Sequence, residues 1–108
     1  MEVSLCELLS KPQLYNGKEV VVRAQYNHGF EWSVLHSPGC SSQEKVWLDF
    51  SNLKDRGSLK SLGGFGMTDT FNLIVQGIFM SGERYGHLGN YRYQIIAKEL
   101  RTCAHKSR

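Results

Sequence analysis

No run of about 18 apolar residues interrupts this chain, so no helix is expected to span a membrane. The opening Met1-Glu2-Val3 has neither a basic start nor an apolar stretch, so no leader is read and a cytoplasmic location is expected. An exported mature domain is the alternative if that N-terminus is a trimmed one. There is no C-x-x-C among the three cysteines, so the signatures of a redox motif and of a zinc ribbon are both missing. The glycines at 63–66 lack the Gly-Lys-Ser/Thr ending of a phosphate loop, and no nucleophile elbow occurs. Internal repeats and low-complexity tracts are absent too.

A body charge of one sign is also missing. The formal charge is +3, from 13 Lys and Arg against 10 Asp and Glu. Up to Ala97 the signs balance; the excess comes from Lys98, Arg101, Lys106 and Arg108 against Glu99. A neutral body offers little of the phosphate neutralisation that drives nucleic-acid affinity, and the basic end reads as a solvated tail over 101–108. With 41% apolar and 21% charged residues, the composition is that of a folded protein rather than a disordered one. At 108 residues the chain fits one domain, expected over 1–100, able to bury one core. Its odd cysteine count leaves at least one thiol free or paired between chains. Cys6–Cys40 and Cys6–Cys103 bridges are both open for an exported domain; inside a cell, the thiols would be small buried hydrophobes.

Alternation dominates what is present. Before it comes a short helix, with Ser4 and Glu7 spaced as a capping box, Val3 and Leu8 as a staple, and Leu5, Leu8 and Leu9 as one stripe. Pro12 is expected to end it, and Asn16-Gly17 to turn the chain. Residues 18–27 then form the clearest strand, with Val20, Val22, Ala24 and Tyr26 on one face. Further strands are expected over 30–35, 45–50, 71–80 and 90–100, joined by loops at 36–44 and 82–90. Val46, Leu48 and Phe50 face one way and Trp47 and Asp49 the other; Trp32 is read as core. Asn52 and Asp55 could start a short helix carrying Leu53, Leu59 and Leu62. Gly77 inside the fourth strand indicates a bulge or a close backbone approach. The sum is a mainly β protein: a five-stranded OB-type barrel with a short N-terminal helix and an irregular or helical insert between strands 3 and 4.

The stretch Leu14-Tyr15-Asn16-Gly17-Lys18-Glu19-Val20-Val21-Val22-Arg23, a turn followed by a valine-rich strand after a leader helix, resembles small bacterial modules of the OB-fold superfamily. The resemblance extends over most of the chain as element order, although its specific motif is this one turn and strand. It implies a fold, with a nucleic-acid-binding-like role in some relatives; function has to be argued from a site.

Candidate site residues lie on the barrel face and its rim. Trp47 with Asp49 and Glu31 would face outward, and Tyr85, His87 and Arg92 would add a ring, an imidazole and a guanidinium from the last loop, one of those OB folds use to grip ligands. Such a set suits single-stranded nucleic acid, an oligosaccharide or a protein partner. The acidic neighbours of Trp47 fit a sugar or a protein at least as well as a polyanion. No catalytic residue is assigned and no cofactor is expected. The competing readings are a metal-assisted hydrolase through His36, Cys40 and His87, whose spacing matches no established metal pattern, and a structural subunit that pairs through an exposed strand.

Overall fold

The computed structural model describes residues 2–28, 33–40, 44–53 and 70–102. Glu31, Trp32, Cys103, the glycines at 63–66 and most of the expected insert and tail lie outside the described residues. The described segments form helix α1 (Leu5–Ser10), helix α2 (Pro12–Tyr15) and strands β1 (Glu19–His28), β2 (Ser33–His36), β3 (Val46–Asp49), β4 (Thr70–Tyr85) and β5 (Tyr91–Thr102), with one 3-10 turn at His87–Gly89. Among them no helix is long and apolar enough to cross a membrane.

The five strands expected from the sequence close into a barrel in the order β1-β2-β3-β5-β4. All neighbours are antiparallel except β3 and β5, whose parallel pairing of Leu48 with Ile95 shuts the barrel. Closure satisfies the backbone of the outer strands and removes most exposed edge. Alternation decides what lies inside: Val20, Val22, Ala24 and Tyr26 of β1, Leu35 of β2, Val46 and Leu48 of β3, Leu73, Val75 and Phe79 of β4, and Ile95 and Ala97 of β5 are all buried. Leu53 belongs to the same cluster. The Tyr26 hydroxyl pairs with Ser33 Oγ at 3.0 Å, and Ser33 in turn donates to the Leu48 carbonyl at 3.0 Å. Burial pushes the Tyr26 phenol up from its ordinary value.

The helices depart in detail from the sequence expectation. Ser4 Oγ accepts from the Glu7 amide at 3.0 Å, which is the first half of a capping box. The Glu7 carboxylate does not complete it: Oε2 accepts from the Tyr15 hydroxyl at 2.9 Å and lies 3.6 Å from Lys11 Nζ. The carboxylate beside it raises the Tyr15 phenol. Pro12 does more than stop α1. It opens α2, because a first-turn proline loses no needed hydrogen bond. Leu5, Leu8 and Leu9 pack into the barrel cluster, and Cys6 on the same helix is joined to Cys40, which follows β2, in a disulfide. Of the pairings the spacing left open, this is the one formed.

Two irregularities interrupt the β4–β5 ladder. At the first, Gln76 faces Glu99 but Gly77 faces Ala97, so Lys98 is the extra residue and parity shifts to bury Leu100. A Cβ at position 77 would collide with the Ile96 carbonyl oxygen, which accounts for the glycine anticipated there as a bulge or close approach. At the second, between Ser81 and Tyr85, Gly82 takes a φ of 94°. Here the expectation of an open loop over 82–90 is corrected. The arms of the hairpin stay paired to Tyr85 and Tyr91, because a bulge absorbs the glycine and lets the strand resume beyond it. β5 likewise continues to Thr102, two residues into the segment read as tail.

Candidate groove at the hairpin rim

Three local features build the hairpin end. Gly86 has a φ of 76° and sits so close to two rings that a Cβ there would lie 2.6 Å from Trp47 and 2.7 Å from Tyr91. This close approach seats the tip on the barrel. The Trp47 and Tyr91 rings meet with centroids 5.2 Å apart and planes tilted by 46°, although strand parity puts Tyr91 on the side of Ile95. Two residues along, Tyr93 stacks on the buried Phe79 with centroids 6.0 Å apart. Each tyrosine therefore has a second ring behind it, which limits its motion and prepares its free surface for contact.

The opposite wall comes from α2. The Asn16 side-chain oxygen accepts from the Ser81 amide at 2.8 Å, and the Gly17 amide donates to the Phe79 carbonyl at 2.7 Å. These bonds tie the end of α2 to β4 where the strand leaves the barrel. Between α2 and the hairpin lies a groove of about 850 Å³, lined by Pro12 and Gln13, by Glu44, and by residues 81–84 and 89–93. That volume falls within the roughly 300–1,000 Å³ usual for small-molecule sites. Arg92 pairs with Glu44 within its lining, with nitrogen and oxygen 3.6 Å apart and the arginine side chain 73% exposed.

The tip itself is unusual. Leu88 has a φ of 57° and is 81% exposed, a left-handed backbone carrying an apolar side chain in solvent. Strained residues of this kind collect at binding sites and turns. The Tyr85 hydroxyl is buried with no hydrogen-bond partner among the described residues. Desolvation and then the nearby Glu83 charge raise its phenol.

The chain is similar in fold to part of a crystal structure assigned as an aspartyl-tRNA synthetase from Leishmania major Friedlin. The superposition has a TM-score of 0.60 at 14% identity and covers 100% of this chain but 21% of that one. At that identity the likeness concerns the fold. No protein-family model and no curated protein sequence matches the chain.

The sequence-derived site residues fall in different places. Arg92 lines the groove, and Trp47 stands behind it as the brace for Tyr91. Tyr85 and His87 belong to the same hairpin but do not line the groove. Asp49 is occupied locally: its Oδ1 accepts from the Ser51 amide at 2.7 Å and holds the turn after β3. Glu31 lies outside the described residues. His36 is half-buried, and its Nδ1 has no partner among the described residues; burial and then the Lys45 charge lower its pKa. Cys40 shares its sulfur with Cys6, so while that bond is intact it has no thiolate to give a metal. Among the described residues, no group of three His, Cys, Asp or Glu side chains is placed to hold a metal ion.

The groove residues outside the set chosen from the sequence include Gln13, Glu44, Arg84 and Tyr93. Glu44 and Arg84 fall in the 36–44 and 82–90 stretches expected as rim loops, but neither was picked out individually. No local pattern distinguishes them, because what joins them is the closure of the barrel.

Proposed function

We propose that this domain is a small binding module that takes its ligand in the groove between α2 and the β4–β5 hairpin. The reading extends the resemblance to small bacterial OB modules, some of which are labelled nucleic-acid-binding-like by fold alone. The observation that carries it is the braced pair of tyrosines beside Arg92, on a hairpin that extends beyond the barrel. Rigid rings flanked by a few polar groups are what a binding site needs, since little freedom is left to lose on association. It is read as a binding domain and not an enzyme. The hydrolase alternative draws no support from a set whose cysteine is oxidised. The subunit alternative would need a continuous free strand. Disulfides persist in oxidising compartments, so the Cys6–Cys40 bond favours the exported alternative over the cytoplasmic one.

The test is amide-shift mapping of the oxidised protein with three probe classes in turn: oligo-dT, neutral hexasaccharides and a pool of unstructured peptides. At least one class is expected to move the amides of Glu44, 81–84 and 89–93 together. If none moves that set, the binding reading is wrong.

A further inference from the structure

We infer that the ligand of this groove is a neutral oligosaccharide, an inference that rests on the groove being the binding site. Among the described residues, the charged side chains lining the groove are Glu44 and Glu83 against Arg84 and Arg92, a formal sum of zero, and Arg92 already pairs with Glu44. A nucleic-acid strand draws its affinity from cations that replace counterions on successive phosphates, and here each cation is matched by a carboxylate. Those carboxylates would repel phosphates while accepting hydrogen bonds from hydroxyl groups.

The described lining is also poor in apolar side chains. Among the described residues, Pro12 and the faces of Tyr91 and Tyr93 are the apolar surfaces lining the groove, and no aliphatic side chain lines it. A lipid or a hydrophobic peptide anchor finds nothing to fill. A sugar ring has apolar C–H faces that fit an aromatic ring and hydroxyl edges that fit planar carboxylate, amide and guanidinium groups, all of which are present here.

Strand addition, the route by which a peptide would use backbone bonds, is disfavoured as well. β1 leaves β4 after the pairing of Glu19 with Ile78, so the side of β4 beyond that point faces the groove. Asn16 takes the Ser81 amide, Gly82 bends the backbone into the left-handed region, and exposed Glu83 and Arg84 follow. An edge interrupted by a bulge and charged residues is a poor template for another strand. Among the described residues the groove thus presents stacking rings and balanced polar groups, without a phosphate track, an apolar pocket or a continuous edge.

The experiment titrates isotope-labelled oxidised protein with cellohexaose, chitohexaose and maltohexaose to about 10 mM, beyond the ~1 mM of weak binding, and with oligo-dT at low and moderate salt. At least one hexasaccharide is expected to shift residues 81–84 and 89–93 saturably, with little dependence on salt. Tyr91→Ala and Arg92→Ala should each weaken that binding about tenfold, while Tyr91→Phe, which keeps the stacking face and the fold, should bind within about twofold of the parent. Shifts at these amides from oligo-dT or peptide, but from no hexasaccharide, would overturn the ligand class and leave the groove as the site. Hexasaccharide shifts confined to other surfaces would overturn the proposal. Silence from every probe at the groove would remove both the ligand class and the binding reading.

Discussion

The two bulges in the β4–β5 ladder look alike in sequence, each marked by a glycine in a strand, yet they answer to different physics. Gly77 has an ordinary φ and is required by space, because the Ile96 carbonyl occupies the volume a Cβ would need. Gly82 has open space around it, with nothing within 4 Å of a Cβ, and is required by its φ of 94°. The first bulge lies within the closed barrel and resets parity so that Leu100 turns inward. The second lies where β4 has left β1, and it frees the hairpin to form one wall of the groove. Tight packing thus governs the body of the domain, and backbone freedom governs its rim.

That contrast can be broken or sharpened by substitution. The largest effect is expected from the staple on the barrel body. Replacing both cysteines, Cys6→Ser with Cys40→Ser, should lower unfolding free energy by about 2–4 kcal/mol, as expected for closing a loop with a sequence separation of 34 residues. Denaturant titration measures this, and the amide shifts of residues 81–93 should stay near those of the parent. A large change at the hairpin would show that body and rim are not separable. Next is Gly77→Ala, which forces a methyl against backbone that cannot yield cheaply and should cost about 1–3 kcal/mol. A loss under half of that would mean the first bulge is not set by space.

Gly82→Ala should cost less, about 1–2 kcal/mol, the penalty for a left-handed backbone without steric conflict. Gly82→Asn should recover part of it, since asparagine tolerates that conformation; equal losses from both would argue that φ is not the determinant. The smallest effect concerns His36. Its pKa is lowered on folding, so the unfolded chain holds more proton between the two values. Stability contributed by the neutral ring is therefore complete above about 6.5 and declines as pH falls through the window beneath it. Thermal unfolding between pH 7.5 and 5 should show a shallow slope that His36→Asn reduces; an unchanged slope would reassign it to other groups.

Much of the barrel was legible because burial acts on neighbours along the chain. In β1, Val20, Val22, Ala24 and Tyr26 alternate with outward residues, and the inner face of a closed sheet must be apolar. The Ser4 cap and the glycine at 77 were legible for the same local reason. The hairpin was less so: Gly82, Gly86 and Gly89 read as a loop, since composition cannot separate a bulge from a turn when the strand resumes beyond it. Asp49 read as an outward polar group, but a carboxylate two residues ahead of an amide caps a turn just as readily. Trp47 was picked out for its outward parity, but its contact with Tyr91, which shares the parity of Ile95, is made where Gly86 packs against both rings and was not legible from alternation.

Taken alone, the amino-acid order determined that strands would form, which of their faces would be apolar, and that a short capped helix would precede them. Each of these depends on residues within a few positions of one another. The Cys6–Cys40 pairing, the meeting of Trp47 with Gly86 and Tyr91, and the assembly of Glu44, Arg84 and Arg92 around one groove were decided by tertiary structure. The Cys6–Cys40, Trp47–Tyr91 and Glu44–Arg92 contacts join segments far apart in the chain, and the last two lie across the seam where β3 pairs with β5 to close the barrel.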